Sequence, residues 1–213
     1  MTRTYTLRRR AEQQAKTRQR IVEAAVDLHC SIGPASTTIS MVAERAGVQR
    51  HTFYAHFPDE RSLLLACSGF TLERDPLPDA GPWRTISDSS ERLRVGLRAI
   101  YDWYERNASL AACVLRDAEH HALTREISEL RLGPPMAAYH EVLGAKLSAK
   151  QRALLRLALS FFTWRTVAQE SGLKQSATVA VMVQAIASAG ERPKAAGSAH
   201  LSAGLGSRSS GSR

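Results

Sequence analysis

The stretch Thr37–Phe57, TTISMVAERAGVQRHTFYAHF, decides how the rest of the chain is read. It sets two short apolar patterns around Gly47. In the first, Thr37 and Thr38 offer an N-cap, and Ile39, Val42 and Ala43 follow at helical spacing. Ala46-Gly47-Val48 closes that helix, because glycine takes the left-handed turn conformation without a steric penalty. A second short helix follows, roughly residues 49–55. Two short helices joined by a glycine turn are the layout of a helix-turn-helix. Ile39, Val42, Ala43, Val48, Phe53 and Phe57 hold the pair on the helix before it, and the second helix projects its remaining side chains toward a major groove. Arg50 is a forked donor suited to guanine O6 and N7, and Thr52 offers a hydroxyl together with a methyl group for thymine. His51 either reads a base edge or packs. Tyr54 and His56 can donate to phosphate oxygens, which sets register without reading sequence. The alternative is a generic helical hairpin with a polar outer face.

Working outward, Ile21, Ala25, Leu28 and Ile32 repeat at helical spacing from Lys16 and stop at Gly33-Pro34. Another helix starts near Asp59, with Leu63, Leu64 and Cys67 on its inner side. The segment Glu73–Ser90 holds three prolines and reads as a linker. Beyond it the pattern is helical almost throughout. Leu93, Leu97, Ile100 and Tyr104 define one helix, and a restart near Asn107–Ser109 leads to Leu110, Val114, Asp117 and His121. Gly133-Pro134-Pro135 is expected to break the chain before a helix from Pro135 to about Leu147, and Ser148 with Gln151 forms a capping box for the next. That next stretch, AKQRALLRLALSFFTWRTVAQESG, reads as one helix, apolar on nearly every face in its middle, and ATVAVMVQAIASA is similar. A helix apolar all round is buried on more than one side, so a second copy of the chain is the expected partner. The fold class is all-α. The expected organisation is a flexible basic arm (1–15), a three-helix DNA-binding domain (16–72), the linker (73–90), a helical effector-binding and dimerisation domain (91–190), and a Gly/Ser/Ala-rich disordered tail (191–213).

The net charge of +9 sits at the ends: residues 1–20 carry seven Arg/Lys against Glu12, and residues 191–213 carry four against Glu191. The body is neutral, so the excess reads as basic arms, the first of which can lie along phosphates or enter a minor groove. Cys30, Cys67 and Cys113 are odd in number and contain no C-x-x-C pair, which disfavours a disulfide framework or zinc ribbon and fits a reducing cytosol. No stretch suits a membrane span or a secretory signal, so a soluble cytoplasmic protein without membrane contact is expected.

The segments TRQRIVEAA, GPASTTISMVAERAGVQRHTFYAHFPDERSLL and FFTWRTVAQESGLKQSATVAVMVQAI together resemble the TetR family of transcriptional regulators. The resemblance is specific over roughly residues 16–67, through Thr38, Ala43, Ala46-Gly47-Val48, Tyr54 and Phe57, and looser in the C-terminal half. It implies a three-helix DNA-binding domain, an all-helical domain that dimerises and binds a small effector, base contacts from Arg50, His51 and Thr52, and phosphate contacts from Thr38, Tyr54 and His56. Three positions depart from the family pattern. Glu60 stands in place of a phosphate-binding lysine, so that ligand is either missing or supplied by Arg61 or the arm. His29 replaces an aromatic residue and reads as a satisfied core histidine. His51 stands where a small residue or proline is usual.

Glu119-His120-His121 invites a metal reading, but adjacent helical residues diverge by about 100°, so no metal is expected there. No nucleophile elbow, phosphate loop or HExxH motif is present, and no cofactor or catalytic residue is expected. An effector pocket would draw on Trp103, Tyr104, Arg116, Asp117, Tyr139, Phe161 and Trp164. The leading expectation is a homodimeric repressor bound to a palindromic double-stranded operator and released by a small molecule. The alternatives are a regulator with no small ligand, and a helical ligand carrier or enzyme on the same fold.

Overall fold

The computed structural model describes residues 2–190, with side chains described from Leu7 onward; the C-terminal segment expected to be a disordered tail lies outside the described residues. Ten helices run in order: α1 Thr2–Ser31, α2 Ile39–Ala46, α3 Arg50–His56, α4 Glu60–Arg74, α5 Ser89–Arg106, α6 Ala108–Ala118, α7 Ala122–Leu143, α8 Ala149–Ala158, α9 Phe161–Trp164 and α10 Gln175–Ser188. The described residues contain no strand, and none of their helices is long and apolar enough to cross a membrane.

Apolar side chains gather into two clusters. Ile21, Val22 and Ala25 of α1 meet Val42, Phe53, Phe57, Leu63 and Cys67 in the first. Leu97, Ile100 and Tyr101 of α5 meet Leu143, Leu155, Trp164 and Ile186 in the second. α1 and α4 also pack against α6 and α7, so the two clusters share a long seam.

Four sequence expectations change. The first helix begins at Thr2, so the residues expected as a flexible arm form its first turns. Arg8–Lys16 is made almost wholly of strong helix formers, and Arg8 pairs with Glu12 one turn on at 3.0 Å. The expected linker is partly structured. α4 runs on to Arg74, and Gly81–Thr85 forms a 3₁₀ turn that places Trp83 in the second core, 5.4 Å from the Tyr139 ring.

The third change is at Pro134 and Pro135, which lie inside α7 instead of ending a helix. Two adjacent prolines remove two backbone donors and crowd the preceding turn. Tertiary contacts hold both halves in line. Arg131 binds Ser68 Oγ and the Leu65 carbonyl on α4, at 3.1 and 3.2 Å, while Leu143 packs against Gly96 of α5.

The fourth change is a break in the expected long helix after Ala149. α8 stops at Ala158, Ser160 caps α9, and a π-helical turn follows at Arg165–Glu170. The interruption exposes backbone carbonyls, which need partners when buried. Two tyrosines of α5 supply them: Tyr101 OH donates to the Ala158 carbonyl at 2.8 Å and Tyr104 OH to the Leu159 carbonyl at 2.6 Å. The capping box at Ser148 and Gln151 is present as expected.

Candidate functional site

Local sequence builds α2 and α3 with little slack. Thr38 caps α2, its Oγ1 accepting the Met41 N–H at 3.3 Å, which leaves the hydroxyl proton available to an outside acceptor. Gly47 sits at φ +64°, and its N–H donates to the Ala43 and Glu44 carbonyls. Phe53 and Phe57, 0% and 1% exposed, turn α3 onto α1, where Arg18 lies 4.8 Å over the Phe57 ring. Arg50, His51 and Tyr54 are exposed, and Thr52 and His56 are half-buried. Tyr54 meets Phe53 edge-on at 5.7 Å, and the His51 and Thr52 side chains approach to 3.3 Å. Five of the six residues expected to face DNA lie on α3, and Thr38 caps α2.

Glu60 and Arg61, beside this surface, are engaged elsewhere. Glu60 lies 3.7 Å from His121 Nε2, and Arg61 pairs with Glu126 of α7 at 2.8 Å. Arg61 thus pairs across the seam to α7 in this structure. Among the described residues no group of three or more His, Cys, Asp or Glu is placed to hold a metal ion.

A cavity of about 600 Å³ lies where α1 and α4 meet α5, α6 and α7. Its wall is mainly apolar, with Leu64 and Cys67 from the N-terminal side and Leu110, Val114, Ile127 and Met136 from the other. Trp103, Tyr104, Tyr139 and Phe161, four of the seven residues expected in an effector pocket, line it. Trp164, Arg116 and Asp117 do not. Trp164 is buried in the second core beside Tyr104 and Phe161, at 5.8 and 5.5 Å between ring centres.

Arg116 and Asp117 instead fasten the seam. Asp117 is 1% exposed and accepts the Ala35 N–H at 2.9 Å, while Arg116 pairs with Asp117 and donates to the Ile32 carbonyl at 3.0 Å. This contact sits against Gly33, whose φ is +93°; a Cβ there would lie 2.3 Å from Asp117 Oδ2. A charged pair on a helix looks like a ligand group from sequence, but its partners here are backbone atoms more than 80 residues away.

The cavity also holds a residue not proposed for it. His29 is 4% exposed and lines the wall, and its ring makes no hydrogen bond to the described residues. Burial pushes its pKa down to about 4, only partly opposed by the Asp117 charge, so the imidazole is neutral at pH 7. Its departure from the family pattern was the available signal. Burial likewise raises the Cys67 thiol to about 12 and moves Cys30 upward, which keeps these thiols protonated.

A helix-turn-helix unit with an exposed polar second helix, joined to a helical body enclosing a cavity, defines the class. Residues 21–67 match the family model for bacterial regulatory proteins of the tetR family. The HTH-type transcriptional regulator SrpR of Pseudomonas putida is 36% identical over 77 residues, 35% of this chain and 36% of that protein. The uncharacterized HTH-type transcriptional regulator TtgW, also of Pseudomonas putida, is 36% identical over 77 residues as well, covering 58% of its length. The chain thus spans between about a third and three-fifths of these curated relatives. The fold resembles the transcriptional regulator FadR of Bacillus subtilis in complex with stearoyl-CoA, with a TM-score of 0.57 and 16% identity over 80% of this chain and 98% of that one. The similarity to the tetR family thus lies in the N-terminal domain, residues 21–67.

Proposed function

We propose that this chain is a homodimeric transcriptional repressor that binds a palindromic operator through α3 and leaves it when a small molecule enters the cavity. The observation that carries the reading is the contrast along α3: Phe53 and Phe57 are 0% and 1% exposed, while Arg50, His51 and Tyr54 are exposed. In this reading Arg50, His51 and Thr52 meet base edges, and Thr38, Tyr54 and His56 meet phosphates. Basic residues of the helical extension, among them Arg8, Arg10, Lys16 and Arg20, add a sequence-independent attraction that weakens as salt rises.

The partner is a second copy, docked on α8 and α10. Leu157 and Val181 are 55% and 47% exposed there, an apolar surface that a dimer covers. Ligand control draws support from the cavity's position, since its wall is shared by the DNA-reading half and the helical body. The stearoyl-CoA complex of FadR is a precedent for a ligand-bound protein of this fold. A ligand that favours one arrangement of the two halves would move the paired α3 helices off successive major grooves, which lie about 34 Å apart.

Selection from a random duplex pool, with sedimentation of the complex, tests the reading. An inverted-repeat site bound by two chains is the expected result. A pool with no enriched sequence, or a monomer as the only bound species, would overturn it.

A further inference from the structure

We propose that the cavity takes an uncharged, largely hydrocarbon ligand carrying one hydrogen-bonding group, an alcohol or carbonyl, which pairs with the His29 imidazole. The inference rests on the effector reading above and names the chemistry that its site accepts. Most polar groups in the wall are already spent. Tyr104 OH and Tyr139 OH donate to the Leu159 and Pro78 carbonyls at 2.6 and 2.7 Å, and Trp103 Nε1 donates to the Asp75 carbonyl at 3.0 Å. Asn107 Nδ2 is held by Asp75 Oδ2 and the Trp103 carbonyl at 2.7 and 3.0 Å. A ligand rich in buried acceptors would lose its water and gain few donors in return.

His29 is 4% exposed, lines the cavity and makes no side-chain hydrogen bond to the described residues. It is the most deeply buried of the lining polar side chains that make no such bond. A neutral imidazole offers one donor and one acceptor, which matches a single hydroxyl or, through its N–H, a carbonyl. Charge points the same way. The charged residues of the wall, Glu119, Arg125, Glu129 and Arg131, balance in sign, and Arg131 is already bound to Ser68 and the Leu65 carbonyl. Such a wall gives no net attraction to a carboxylate or to a phosphate-bearing head group. Because His29 is on α1, a ligand bound to it touches the DNA-reading half directly.

Displacement of the uncharged fluorophore N-phenyl-1-naphthylamine from the full chain, without DNA, tests this apart from any operator. Dodecan-1-ol should displace it at a concentration at least tenfold below dodecanoate or dodecanoyl-CoA. It should also act about fivefold below 1-chlorododecane, the expected worth of one hydrogen bond. His29→Phe should erase the preference over the chloride, and His29→Gln, which keeps a donor and an acceptor, should retain it. Circular dichroism identifies folded variants, and His29→Gln carries the test if the phenylalanine variant does not fold. Absence of fluorophore binding, stronger displacement by either anionic ligand, an unchanged preference in His29→Phe, or loss of it in folded His29→Gln would each overturn the proposal. A protein that binds dodecanol but selects no DNA sequence would leave this inference standing and remove the regulator reading.

Discussion

The turn that joins α2 to α3 and the seam that joins α1 to α6 are held by different forces. Around Gly47 the fastening is apolar and local: Val42, Ala43, Phe53 and Phe57 are buried, and Thr38 and Gly47 close the two ends of α2. At the seam it is polar and long-range, through Arg116 to the Ile32 carbonyl, Asp117 to Ala35 N–H and Arg61 to Glu126. Apolar packing is dense and loses its contacts within an ångström of separation, whereas hydrogen bonds are directional and can exchange one partner for another. The seam is where two arrangements of the halves can differ, as the proposed ligand control requires.

Glycine substitutions break this comparison most sharply. Gly33→Ala meets both a φ of +93° and a Cβ 2.3 Å from Asp117 Oδ2, so it should lower stability by about 3 kcal/mol or more, combining backbone strain with a displaced buried carboxylate. Gly47→Ala at φ +64° has nothing within 4 Å of its Cβ and should cost only about 1 kcal/mol. Denaturant titration of both variants gives the ratio. Equal losses would mean that the Gly33 contact carries no weight in holding the halves together.

His29 gives the next effect. Its folded pKa of about 4 lies below the ordinary 6.5, so the unfolded chain binds its proton first as pH falls. The stabilisation is complete above pH 6.5 and is lost on acidification toward pH 4, on the order of 3 kcal/mol. Stability measured from pH 7 to 4 should therefore fall less steeply in His29→Phe than in the natural chain. Parallel curves would show that His29 does not titrate this way. Smallest is Arg61→Ala. Both partners of the Arg61–Glu126 pair are half exposed, so stability should change by less than about 1 kcal/mol.

Legibility followed the same division. The α2–α3 unit could be read residue by residue because its caps, its turn glycine and its Phe53/Phe57 spacing all act within one or two helical turns. The same local rules misjudged Pro134 and Pro135, where packing on α4 and α5 overrides the missing donors. They also joined α8 to α9, because nothing near Ser160 announces that tyrosines more than 50 residues earlier will take the exposed carbonyls. The cavity was only partly visible. Trp103, Tyr104, Tyr139 and Phe161 stand out as aromatics, whereas Leu110, Val114 and Met136 look like any core residue until the helices are assembled. His29 stands out by its departure from the family pattern, but its place on the cavity wall depends on the assembled helices.

The most direct measurement is the affinity of the natural chain and Arg50→Ala for a selected inverted-repeat operator and for random duplex DNA at one salt concentration. Loss of a bidentate guanine contact predicts weakening on the operator by about 1–3 kcal/mol, roughly 5- to 150-fold, with random DNA bound almost unchanged. An equal loss on both duplexes would make Arg50 a phosphate ligand. No loss on either would contradict the claim that α3 reads DNA.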